Sequence, residues 1–139
     1  MSAEIAVSND LAAAHAVRRA VFIEEQGIGE ADDLDGRDGE ALHLLARLDG
    51  RPVGTARILV ADGVGKIGRV AVLAECRGTG LGRGLILAAL TELRRRGVAT
   101  AKLRAQVDAV GFYTALGFEA VGPDYMDAGI PHRDMVRAP

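Results

Sequence analysis

Arg77-Gly78-Thr79-Gly80-Leu81-Gly82-Arg83 stands between a stretch that reads as a strand and one that reads as a helix, and its reading decides the fold. Before it, Ile67-Gly68-Arg69-Val70-Ala71-Val72-Leu73 is apolar and β-branched with no helical period. After it, Leu81, Leu85, Ile86, Ala89, Leu90 and Leu93 fall on one face at 3.6-residue spacing. The glycines mark the turn between them. A helix start carries about four N–H groups without intrahelical acceptors and a partial positive charge, and glycines let a bulky anion come close to those donors. Arg77 and Arg83 add two cationic forks. The stretch therefore reads as a phosphate-binding loop that joins a strand to a helix.

Two familiar phosphate loops do not fit it. The loop of nucleotide hydrolases needs Gly-x-x-x-x-Gly-Lys-Ser/Thr, and no Lys followed by Ser or Thr occurs in the chain. The dinucleotide fingerprint needs Gly-x-Gly-x-x-Gly; its last position is Arg83 when counted from Gly78 and Leu85 when counted from Gly80. What remains, Arg77-x-x-Gly80-x-Gly82 after a strand, resembles the pyrophosphate loop of the GNAT acyltransferases. A second segment, Phe112-Tyr113-Thr114-Ala115-Leu116-Gly117-Phe118, resembles the Phe-Tyr-x-x-Leu-Gly-Phe segment near the C-terminus of that family. Val21-Phe22-Ile23-Glu24-Glu25-Gln26, Val53-Gly54-Thr55-Ala56-Arg57, Arg104-Ala105-Gln106 and Gly129-Ile130-Pro131-His132 look like its small ElaA-like branch. The resemblance thus runs from Arg18 to Met135.

Composition narrows the class independently. A chain of 139 residues has the size of one domain, expected here over residues 1–139, and should bury about two-thirds of its unfolded surface. Because 49% of the residues are hydrophobic and only 4% aromatic, the core must be filled mostly by Ala, Val, Leu and Ile. A net charge of −2, without a basic stripe interleaved with aromatics, argues against a nucleic-acid partner. Neither an 18-residue apolar run nor a basic-then-apolar start is present, so no membrane span or signal peptide is expected. The single Cys76 excludes an internal disulfide and suits a reducing compartment, so a soluble cytoplasmic protein is expected. His15, His43 and His132 lack the spacing of a zinc site, and no metal is expected.

Along the chain, the pattern predicts a strand at 4–7 and a helix capped by Ser8 or Asn9 that ends near Gly27. Residues 27–40, with Glu30, Asp32, Asp33, Asp35, Asp38 and Glu40 among glycines, read as an irregular, solvated acidic loop able to attract a cationic amine. Strands follow at 41–48 and 52–60 around the Asp49-Gly50 turn, then at 65–73 before the glycine loop. A helix over 81–96 stops at Gly97 with Arg94, Arg95 and Arg96 at its negative end. A strand at 101–107, a short helix at 109–116, and strands at 118–121 and 132–136 complete the chain. This order predicts an α/β fold with a mixed sheet flanked by helices. The GNAT resemblance implies more: a mostly antiparallel sheet whose two central parallel strands splay apart at the strand before the loop.

The same resemblance implies acetyl-CoA as co-substrate and a primary amine as acceptor, with direct transfer between them. The diphosphate would suit the N–H groups of Gly78, Thr79, Gly80, Leu81, Gly82 and Arg83, with Arg77 beside them; such charged hydrogen bonds are worth about 1.5–3 kcal/mol each. Val70, Ala71 and Val72 occupy the splayed strand, where pantetheine amides pair as an added strand would. Gln106 stands where many family members carry Asn, and it joins Phe112 among the implied cofactor-binding residues. Tyr113 matches the family's general acid; a phenol with a reference pKa near 10 can protonate a departing thiolate. Oxyanion stabilisation falls to a backbone N–H near Val72.

Many relatives carry an acidic base on the strand before the loop, and Lys66-Ile67-Gly68-Arg69-Val70 offers none. Glu25, Asp127 and His132 are the candidates, with imidazole chemistry favouring His132. A catalytically silent acyl-CoA sensor and an unrelated anion-binding module remain as alternatives. The acceptor's identity is not legible, and a homodimer is implied only by the habit of the family.

Overall fold

Seven strands assemble into one sheet in the computed structural model, which describes residues 3–139. They are β1 (Ala3–Val7), β2 (Leu42–Leu48), β3 (Arg51–Ala61), β4 (Val64–Val72), β5 (Thr100–Gln106), β6 (Glu119–Asp127) and β7 (Ile130–Arg137). Their order is β1-β2-β3-β4-β5-β7-β6, and every neighbouring pair is antiparallel except β4–β5. This is the mixed, mostly antiparallel sheet expected from the sequence.

The helices lie where the apolar stripes require them. α1 (Leu11–Arg18) buries Ala14 and Val17; α3 (Leu81–Arg95) buries Leu81, Leu85, Ile86, Ala89, Leu90 and Leu93, the stripe read from the sequence. Between and after them come two short helices, α2 (Glu30–Asp33) and α4 (Val110–Ala115). α3 sits so close to β4 that a Cβ added at Gly65 would run into the methyl groups of Leu93. The odd-numbered face of β4, with Gly65 and Ile67, therefore belongs to the core under α3, and Lys66 and Gly68 belong to the opposite face.

Several local details depart from the expected layout, among them the last hairpin, whose strands Glu119–Asp127 and Ile130–Arg137 are longer than the 118–121 and 132–136 expected. The cap of α1 is Asp10 rather than Ser8 or Asn9: its Oδ1 accepts the Ala13 N–H at 3.1 Å, while Ser8 Oγ accepts the Asp10 N–H at 3.1 Å. The coil then widens into a π-helical turn, Arg19–Glu25, marked by the five-residue bond from Gln26 N–H to the Val21 carbonyl at 3.1 Å. The acidic segment after Gly27 is not simply a solvated loop, for it contains α2 and is tied to the sheet by the ion pairs described below.

The feature that makes a site is the seam between β4 and β5. Their parallel pairing covers only Val64–Ile67 against Thr100–Leu103, and past that point the strands part. Arg69 sits immediately beyond it with φ of 49°, a conformation uncommon outside glycine. There the β3–β4 register shifts, so that the step from Gly68 to Ala71 opposes the shorter step from Arg57 to Thr55. Such a bulge bends its strand and swings it from the neighbour on its other side.

Candidate active site

The parting strands open a cleft of about 890 Å³ on the face of the sheet opposite α3. Val70 and Gln106 line its two strand walls, Tyr113 comes from α4, Asp127 from the end of β6 and His132 from β7. In the sheet, Gln106 and His132 are register partners, and His132 is also the partner of Tyr125 on β6. Gln106, Tyr113 and His132, all singled out in the sequence, thus line one cleft although they are spread over three elements.

Tyr113 is wedged edge-on between Phe112 and Phe118, with ring centroids 5.1 and 6.0 Å away. Among the described residues its hydroxyl has no hydrogen-bond partner, and burial pushes its pKa up. The group therefore keeps its proton at neutral pH and presents a free donor. His132 is set differently. Its Nδ1 lies 2.7 Å from the Ile130 carbonyl, which can only accept, so Nδ1 carries the proton and a neutral ring leaves the Nε2 lone pair free. The ring also stacks on Tyr125 at 6.2 Å. Tyr125 itself donates to Asp134, and burial, followed by that carboxylate, raises its pKa to about 12.

The glycine loop leads into α3 with its donors unused. Gly80 precedes the helix with φ of 84° and offers no side-chain cap, and the N–H groups of residues 78–83 donate to no main-chain acceptor among the described residues. A Cβ added at Gly78, Gly80 or Gly82 would meet nothing within 4 Å, so the space over these donors is open. Arg83 is exposed and has no ion-pair partner among the described residues. Beyond Ile67 the β5-facing edge of β4, with Val70, Ala71 and Val72, lacks a strand partner among the described residues. Only the Val72 carbonyl finds another use, accepting from Arg77 Nε at 3.1 Å. Open glycine donors beside an unpaired strand edge suit a diphosphate joined to an extended amide chain.

Other sequence candidates lie elsewhere. Glu25 does not reach the cleft: its carboxylate is held by both terminal nitrogens of Arg77, whose hydrogen bonds keep it below the ordinary carboxylate range. Arg77 therefore braces the π turn against the loop. Phe112 is 45% exposed and stands outside the cleft, its ring serving as a wall for Tyr113. Asp127 does line the cleft, but it pairs with Arg104 at 3.3 Å.

The largest feature missed in the sequence is an ion network under the acidic loop. Arg18, fully buried, binds Asp33 at 3.1 Å and Asp38 at 2.9 Å. Arg57 grips Asp35 through two bonds of 2.8 and 2.9 Å, and Arg69 reaches the Asp32 and Asp33 carbonyls and the Asp35 carboxylate. His15 and His43, distant in sequence, both converge on Asp38. Burial alone would raise Asp38, yet bonds from Arg18 and His15 hold it well below the usual range; bonds from Arg57 lower Asp35 to about 2. The signal was present in α1, where Arg18 shares the face of Ala14, Val17 and Val21: an arginine on a core stripe needs buried acids.

Comparison with known proteins gives the same outline. Residues 14–138 match the acetyltransferase (GNAT) domain family. The uncharacterized N-acetyltransferase YjcF of Bacillus subtilis is 36% identical over 123 residues, covering 87% of each chain. An acyl-CoA N-acyltransferase from Pseudomonas aeruginosa superposes with a TM-score of 0.89 at 31% identity, over 99% of this chain and 100% of that one. Escherichia coli ElaA superposes with a TM-score of 0.87 at 32% identity, over 98% and 99%.

Proposed function

We propose that this chain, which belongs to the GNAT acetyltransferase family, transfers the acetyl group of acetyl-CoA directly to a primary amine. The observation that carries this reading is the parting of β4 from β5 past Ile67 and Leu103, with an unpartnered tyrosine hydroxyl in the cleft it opens. The N–H groups of residues 78–83 and Arg83 hold the diphosphate, and the free edge at Val70–Val72 pairs with the pantetheine amides. Gln106 stands on the opposite wall.

In the reaction the amine lone pair attacks the thioester carbonyl, the C–S bond breaks, and nitrogen loses one proton while sulfur gains one. Nε2 of His132 takes the proton from nitrogen, directly or through water, since its ring tautomer leaves that lone pair free. Tyr113 supplies the proton to the thiolate. The unpaired main-chain N–H groups near Val72 stabilise the carbonyl oxygen as it gains charge. His132 thus takes the role of the base that the loop-preceding strand does not provide.

Thiol release from acetyl-CoA in the presence of a panel of amines tests the reading. Amine-dependent release is expected. Binding of acetyl-CoA with no amine-dependent release across a broad panel would instead support a silent acyl-CoA sensor.

A further inference from the structure

Arg69 stands where the backbone asks for a glycine. Between the pairs Arg57–Gly68 and Thr55–Ala71, two residues of β4, Arg69 and Val70, oppose Ala56 alone on β3. Arg69 is the first of the two and has φ of 49°. The first position of such a bulge takes glycine when its backbone is left-handed, because a Cβ there crowds the following carbonyl. The chain has 18 glycines, one of them at the preceding position, yet it carries an arginine here. Strain of this kind persists only where the surroundings hold it in place.

The side chain supplies the hold. Its Nε donates to the Asp33 carbonyl at 3.3 Å, and its Nη2 donates to the Asp32 carbonyl at 3.1 Å and to the Asp35 carboxylate at 3.3 Å. Only 20% of the side chain is exposed, so these bonds form largely out of water, where they are stronger. The far end is itself fixed, since Asp33 is bound by buried Arg18 of α1 and Asp35 by Arg57 of β3. A chain of bonds thus runs from the bulge through residues 32–35 to α1 and back to the sheet. The bulge is also what swings β4 from β5, and the next residue, Val70, begins the unpaired edge.

We infer that Arg69 is a positioning residue for the donor: its grip on residues 32–35 holds the β4 bulge in its left-handed form and so keeps the strand edge at Val70–Val72 open for the amides of an acyl thioester. This rests on the acetyltransferase reading and deepens it. The acidic segment then serves the donor side of the cleft. Without the grip, an alanine at this position relaxes, β4 drifts toward β5, and the open edge becomes a fraction of the population, which lowers the apparent affinity by that fraction. A glycine keeps the bulge even without the grip, because the left-handed form does not strain it.

Two substitutions therefore separate backbone from guanidinium, since both remove the grip and only one retains the strain. Titration calorimetry with coenzyme A should find Arg69→Gly within about twofold of the unsubstituted protein and Arg69→Ala weaker by roughly threefold to tenfold, the strain of one left-handed alanine expressed as affinity. Tm is not the readout, because loss of the grip lowers it in both. Amide hydrogen exchange reads the edge itself without ligand. The N–H groups of residues 70–72 that face the cleft should exchange more slowly in Arg69→Ala, where β5 covers them, and at the unsubstituted rate in Arg69→Gly. Coenzyme A held as tightly by Arg69→Ala as by the unsubstituted protein, an equal loss in Arg69→Gly, or exchange that does not slow in Arg69→Ala would each overturn the inference. Exchange in the expected order, in proteins none of which binds coenzyme A, would instead reject the acetyltransferase reading and leave Arg69 as the residue that holds the edge open.

Discussion

Tyr113 illustrates how a single side chain is prepared by its neighbours. The Phe112 and Phe118 edges fix its ring, burial raises its pKa, and among the described residues its hydroxyl has no competing acceptor. Tyr113→Phe should therefore lower kcat by roughly 100-fold or more, the lower end of general-acid contributions, while the Kd for coenzyme A stays constant. Stopped-time thiol assays and titration calorimetry read the two quantities separately, and an unchanged kcat would remove Tyr113 from its role. At this scale the sequence was informative where a motif is local. Tyr113 and the loop glycines were named from contiguous segments. The Glu25–Arg77 pair was not, because it joins residues 52 positions apart and no periodicity links them.

At the scale of elements, the loop that opens α3 has donors but no side chain over them. Gly82→Asp has room, since an added Cβ meets nothing within 4 Å, so the fold should persist. The new carboxylate, however, would stand beside the loop donors to which the proposed function assigns the diphosphate, and would repel it. Coenzyme A affinity is expected to fall at least tenfold with little change in Tm; retained affinity would sink the loop assignment. Strands and long helices were legible because their burial leaves a period: α3 was expected over 81–96 and spans Leu81–Arg95. The start of α1 was less so, for Ser8, Asn9 and Asp10 are all good caps and only packing chooses among them. The one-turn α2 leaves no period at all, and its acids are explained by arginines elsewhere in the chain.

For the whole molecule, three arginines and three aspartates decide how the acidic segment after Gly27 is held to the sheet. Arg18→Met would leave Asp33 and Asp38 charged and poorly solvated, at an expected cost of about 3–5 kcal/mol in urea unfolding. Acid acts on the same network. Asp35 titrates at about 2 in the folded protein and near 3.9 unfolded, so its contribution is complete above about pH 5 and is lost as pH falls through about 4 toward 2. Between pH 7 and pH 3 the native protein should lose more stability than Asp35→Asn, and equal losses would show that Asp35 is not part of the acid response. The seam has another consequence. Strands β1–β4 come from the first half of the chain and β5–β7 from the second, and among the described residues the only sheet pairing between these halves is the four-pair β4–β5 junction. On the proposed function, the line along which the molecule is least sewn together is also the line that would receive the donor. An acyl-CoA bound there would act as a mortar between two separately built walls, and resistance to unfolding would then gauge how much donor the protein carries.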